Sequence, residues 1–131
     1  MKKKQNTSLG RRPGSSGEHA LQEDYGTTQQ ADIFYEKQML EHLNDRMQEL
    51  ISRQEMVFIA TSDEKGEADC SFRAGPAGFV RILGPKTIAY PEYRGNGVHA
   101  SLGNILGNPH VGMMFVDFFG SAVGLHVNGR A

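Results

Sequence analysis

The stretch Tyr90–Gly120, YPEYRGNGVHASLGNILGNPHVGMMFVDFFG, constrains the fold of this chain more than any other. It reads as a strand end, a glycine-rich loop, a short helix, an abrupt stop and a buried strand. Leu102, Ile105 and Leu106 stand at i, i+3 and i+4, the spacing that lines one face of a helix. Asn96 is placed to cap its start. Gly107 offers a left-handed cap at the far end, and Pro109 forbids continuation. Val111 to Phe118 then runs apolar, as a strand covered on both faces does. Gly95 and Gly97 let backbone approach a ligand closely, and the first turn of a helix presents unpaired N–H groups that favour an anion. Arg94 can fork onto a phosphate, with Asn96, His99 and Ser101 as further donors. Two readings stand: a site for a phosphate-bearing small molecule, or a strand-to-helix turn carrying a solvated arginine.

The rest of the chain is punctuated for antiparallel pairing. Met56 to Thr61 is a short apolar run, and Ser62 to Gly66 is a hairpin loop with glycine where a positive φ is needed. Ala68 to Arg73 returns, with Phe72 pointing opposite to Ser71 and Arg73. Phe79 to Leu83 and Thr87 to Tyr90 flank Gly84-Pro85, and Leu125 to Asn128 supplies a last strand. Hairpins with few helices point to an antiparallel sheet or barrel rather than a βαβ fold. Upstream, Phe34, Leu40, Leu43, Met47, Leu50 and Ile51 recur at helical spacing. Asn44 followed by Asp45 marks an internal cap, so two helices are expected there rather than one. This divides the chain into a disordered basic tail (1–17), an arm with helices (18–55) and a barrel domain (56–131). The sequence stops at Val127-Asn128-Gly129-Arg130-Ala131, inside what reads as a strand, so the expectation is of a shortened chain whose barrel lacks its last strands.

Charge and composition exclude several classes. The net charge of −1 conceals five basic residues and no acid in residues 1–17, against nine basic and fifteen acidic residues beyond them. A basic face for nucleic acid is therefore not expected. With a mean hydropathy of −0.46, no apolar run approaches the ~20 residues that cross a bilayer. The basic amino end is followed by no hydrophobic region, so it does not read as a secretory signal. A single cysteine, Cys70, and no Cys/His cluster of zinc spacing suggest a reducing cytoplasm and no metal centre. No Ser-His-Asp set or paired carboxylates stand out, and no side chain is singled out as catalytic.

The segments FIATSDEKGEADCSFRAG, FVRIL, YPEYRGNGVHASLGNILGNPHVGMMFVDFFG and GLHVNGRA, in that order, resemble the pyridoxamine 5′-phosphate oxidase-like family of flavin-binding split β-barrel proteins. The bacterial oxidase-related, FMN-binding group is the most similar, over about Gly17 to Ala131. The resemblance implies a mainly β (α+β) fold, an antiparallel split barrel with N-terminal helices and one short helix between strands. It implies a homodimer with FMN at the subunit interface and a redox reaction on a small-molecule substrate. Ser71 and Arg73 would run beside the flavin, while Arg94, Gly95, Asn96, His99 and Ser101 would hold its phosphate. Arg73 is alternatively a strand arginine paired with a carboxylate such as Asp69. The oxidase itself has a strand motif of the form Arg-x-Val-Leu-Leu-Lys, whereas Arg73 is followed by Ala74-Gly75-Pro76, which points away from pyridoxamine phosphate as substrate. The deazaflavin F420 is the alternative cofactor. A flavin-binding protein without turnover, or an inactive fragment, is the alternative role.

Overall fold

A computed structural model describes residues 11–131. Among them are four helices, α1 (Ser16–Asp24), α2 (Thr28–Lys37), α3 (Asp45–Ser52) and α4 (Ala100–Gly107). The six strands are β1 (Met56–Ser62), β2 (Ala68–Ala74), β3 (Arg81–Gly84), β4 (Thr87–Ala89), β5 (His110–Val116) and β6 (Gly124–Arg130). They divide into two units, one up to Glu41 and the other His42–Ala131.

The first unit is tied by polar contacts, since neither α1 nor α2 buries a residue. Ser15 Oγ accepts from the Glu18 N–H at 3.1 Å while the Glu18 carboxylate accepts from the Ser15 N–H at 3.2 Å, a reciprocal capping box. The backbone bond from Ser15, joined by one from the Tyr35 hydroxyl, holds the Glu18 carboxyl below its usual range. Arg12 bonds Asp32 at 2.9 Å and Gln22 at 2.8 Å, and lies over the Tyr35 ring. A helix therefore starts inside the segment expected to be disordered. Residues 1–10 of that expectation lie outside the described residues.

In the second unit Asn44 caps α3 as expected, its side chain accepting from the Met47 N–H at 3.0 Å. The helix packs with the sheet: Leu50 and Ile51 are buried, and Ile51 joins Val57, Ile59, Phe79, Val80, Met113 and Phe115 in the core. The main sheet runs β2-β1-β5-β6, antiparallel throughout, and β3 and β4 form a separate hairpin. Among the described residues neither outer edge of the main sheet is paired, so the barrel is not closed. Period-2 alternation sets one face of β1, Val57, Ile59 and Thr61, into the core. Its register with β2 opposes Val57 to Arg73 and Ile59 to Ser71, putting those two polar residues on the covered face at a sheet edge. On the other face Phe72 is exposed, and Phe58 meets Phe118 edge to face.

Four expectations for Tyr90–Gly120 are corrected. Asn96 does not cap α4; its side chain accepts from the Val98 N–H at 3.0 Å, and His99 is the capping position. Gly95 and Gly97, both at positive φ, insert an extra turn in which the Gly97 N–H reaches the Arg94 carbonyl at 2.9 Å. Gly107 takes no left-handed conformation; α4 ends because Asn108 is extended, as a residue before proline prefers to be. Nor do Leu102 and Leu106 face inward, being 40% and 90% exposed. The inward stripe is Ser101, Asn104, Ile105 and Asn108, anchored by Asn104 Nδ2 donating to Thr61 Oγ1 at 3.0 Å and Asn108 Nδ2 to Ser62 Oγ at 2.8 Å. β5 ends at Val116. Asp117 then begins a turn that leaves Phe118 and Phe119 exposed.

Candidate functional site

The start of α4 meets the edge strand β2 at a polar cluster. Ser101, the second residue of the helix, is buried, and its Oγ lies 3.3 Å from Ser71 Oγ. Arg73, two residues along β2 on the same face, donates from Nη1 to Ser71 Oγ at 2.9 Å and from Nη2 to Ser101 Oγ at 3.3 Å. Its remaining edge forks onto Glu92: Nε donates to Oε1 at 3.0 Å and Nη2 to Oε2 at 3.1 Å. Both members of this ion pair are about four-fifths buried, with side-chain exposures of 19% and 21%. The carboxylate partner of Arg73 is therefore Glu92 and not Asp69. Glu92 escaped the sequence reading because a pair nineteen residues apart leaves no local pattern.

Of the residues expected at the site, Ser71, Arg73 and Ser101 come together. Arg94, Gly95, Asn96 and His99 lie in the exposed loop that leads into α4. Among the described residues no hydrogen bond joins the Arg94 or His99 side chain to the cluster. His99 sits in the left-handed region at φ 55°, a conformation that costs a non-glycine residue about 1–2 kcal/mol. The N–H groups of the α4 first turn have no intrahelical partner, by the geometry of any helix. Tyr90 precedes Glu92 by two positions. Burial pushes its phenol up, the Glu92 charge adds to this, and Arg73 opposes it. Tyr90, Pro91 and Tyr93 line an open depression of about 620 Å³ together with Pro76, Phe79 and Arg81.

This donor set fits an anion. The Arg73 guanidinium already holds one carboxylate, that of Glu92, and its other N–H groups meet the Ser71 and Ser101 hydroxyls at the start of α4. Among the described residues no group of three or more His, Cys, Asp or Glu side chains is placed to hold a metal ion. No described helix is long and apolar enough to cross a membrane.

An open antiparallel split barrel, with a polar cluster where a short helix meets an edge strand, defines the class of this protein as the α+β split-barrel fold. The chain belongs to the pyridoxamine 5′-phosphate oxidase family: residues 43–131 match the family model of that description. Among solved structures, a histidine-to-alanine variant of HupZ from Group A Streptococcus aligns with a TM-score of 0.52 and 27% identity, over 67% of each chain. Another HupZ structure aligns at 0.50 and 28%, over 70% of this chain and 64% of that one, so the chain spans about two thirds of HupZ. HutZ, the heme storage protein from Vibrio cholerae, aligns at 0.49 and 15% identity over 67% and 60%, a likeness too slight to bear on the ligand. No curated protein matches the chain.

Proposed function

We propose that this protein binds FMN with the phosphate at the start of α4 and acts as an FMN-dependent oxidoreductase on a small molecule. The observation that carries the reading is the cluster of Ser71 and Ser101 on an Arg73 guanidinium that already holds a carboxylate, in a chain of this family. Arg73 and the two serines would hold the phosphate, with first-turn amides of α4 and the loop residues Arg94, Gly95, Asn96 and His99 closing around it. Bound flavin supplies the two-electron chemistry, so the protein's tasks are to anchor, orient and shield the ring. The aromatic and proline lining beside Tyr90 suits an apolar ring.

The reading includes a homodimer in a reducing cytoplasm. The uncovered sheet face bearing Phe58, Phe72 and Met114 supports self-association, and the exposed, solitary Cys70 suits a reducing compartment. Light scattering with size exclusion tests the dimer: a monomer mass at micromolar concentration contradicts it. Absorbance and mass of the cofactor released from freshly purified protein test the ligand. Flavin bands with the mass of FMN support the reading. A deazaflavin band supports F420 instead, and a haem Soret band, or no uptake from saturating FMN, overturns it. Bound FMN that no nicotinamide donor or dioxygen turns over would mark a flavin-binding protein without catalysis.

A further inference from the structure

All five N–H donors of Arg73 are used. Nε and one Nη2 hydrogen take Glu92, the other Nη2 hydrogen takes Ser101 Oγ, and Nη1 takes Ser71 Oγ and the Phe72 carbonyl, the last at 3.1 Å. An incoming phosphate therefore finds no free edge on this guanidinium. To reach it, the phosphate must remove Glu92, whose carboxylate has the fork geometry and charge that a phosphate offers. Glu92 leads directly into an open loop. Tyr93 to Ala100 is exposed, with Gly95, Gly97 and His99 all at positive φ.

We propose that Glu92 is a resident competitor at the anion site, a side chain that occupies Arg73 until a phosphate-bearing ligand displaces it. The proposal rests on the FMN reading above and adds to it a means of regulation and selectivity. A ligand with no anionic group cannot replace the carboxylate, so the Glu92–Arg73 pair stays closed. A phosphomonoester exchanges for it and releases the Glu92 loop. Occupancy of Arg73 and the position of Tyr93 to Ala100 then change together.

The test is binding of FMN and of riboflavin to the wild-type chain and to Glu92→Gln, monitored by flavin fluorescence, with thermal melts to verify folding. If Glu92 holds the fork nine-tenths of the time, its removal tightens FMN about tenfold, because apparent affinity scales with the fraction of competent sites. Riboflavin affinity stays within about twofold, since nothing in that ligand competes for the guanidinium. Should Glu92→Gln fold poorly, Glu92→Asp, too short for both arms of the fork, shifts FMN in the same direction by less. Unchanged or weaker FMN binding in a folded variant, or equal tightening of riboflavin, overturns the competitor while the FMN reading stands. Failure of both wild type and variant to bind FMN overturns the FMN reading itself, and the competitor with it.

Discussion

Arg73 carries more of this site than any other side chain, and its removal has two separable consequences. Arg73→Ala strips a largely buried Glu92 carboxylate of its cation. Breaking such a pair costs about 3 kcal/mol, at the lower end for buried pairs because about a fifth of each side chain stays wet. The urea midpoint should fall accordingly, and Arg73→Ala/Glu92→Ala should recover part of the loss; an additive double mutant would mean the pair is not coupled. The second consequence reads out at Tyr90. Its phenol lies above the ordinary 10.0 because of burial first and Glu92 next, with Arg73 the only opposing influence. A raised folded value favours the neutral form, so this residue's contribution is intact below pH 10 and is lost as pH climbs through the folded value. Arg73→Ala should push the tyrosinate transition higher still in an ultraviolet titration, whereas a downward move would show that the guanidinium does not act on this phenol. The sequence reading, with the family resemblance, named Ser71, Arg73 and Ser101 as candidates, and these three side chains do come together. It left Glu92 unseen because the hairpin between β2 and Glu92 supplies the proximity.

Among the elements, α4 is held to β1 by polar contacts where an apolar stripe was expected. Asn104→Ala leaves the buried Thr61 hydroxyl without its donor, a loss of about 1–2 kcal/mol. Amide exchange in Ala100–Gly107 should speed up ahead of the core strands; uniform acceleration would place the anchor elsewhere. The turn between β5 and β6 depends on Asp117, whose carboxylate accepts from the Gly120 N–H at 3.1 Å and from the Ser121 N–H and hydroxyl, each at 3.0 Å. The Ser121 backbone bond leads the causes that hold this carboxyl below its usual range. A depressed folded value means the contribution is present above the unfolded value, about 3.9, and is lost as pH falls through the folded one. Protection of the Gly120 and Ser121 amides should therefore drop on acidification, and Asp117→Asn should weaken it already at neutral pH. The strands were legible because the apolar run Met56–Thr61 is closed by a hairpin loop with glycine at Gly66, which takes φ 85°. The inward stripe of α4 was not, since Asn104 and Asn108 look like solvent residues until Thr61 and Ser62 are placed opposite them. The first helix was missed for a similar reason: it buries nothing, and only Ser15 with Glu18 three residues on announces it.

At the scale of the whole chain, the family and the open split barrel were readable from several short motifs in order, whereas the proposed ligand rests on one cluster. The fold sets the edge strand β2, bearing Ser71 and Arg73, against the start of α4, and the proposed anion site rests on that juxtaposition. A crystal structure of the full chain grown in saturating FMN, or backbone amide shifts tracked through an FMN titration, tests this most directly. The expected result is the FMN phosphate within hydrogen-bond reach of Arg73 and Ser101, with Glu92 turned away and the largest shifts at Ser71, Arg73 and Ala100 to Leu102. An unperturbed Arg73–Glu92 pair at saturation, with FMN bound elsewhere or not at all, contradicts it.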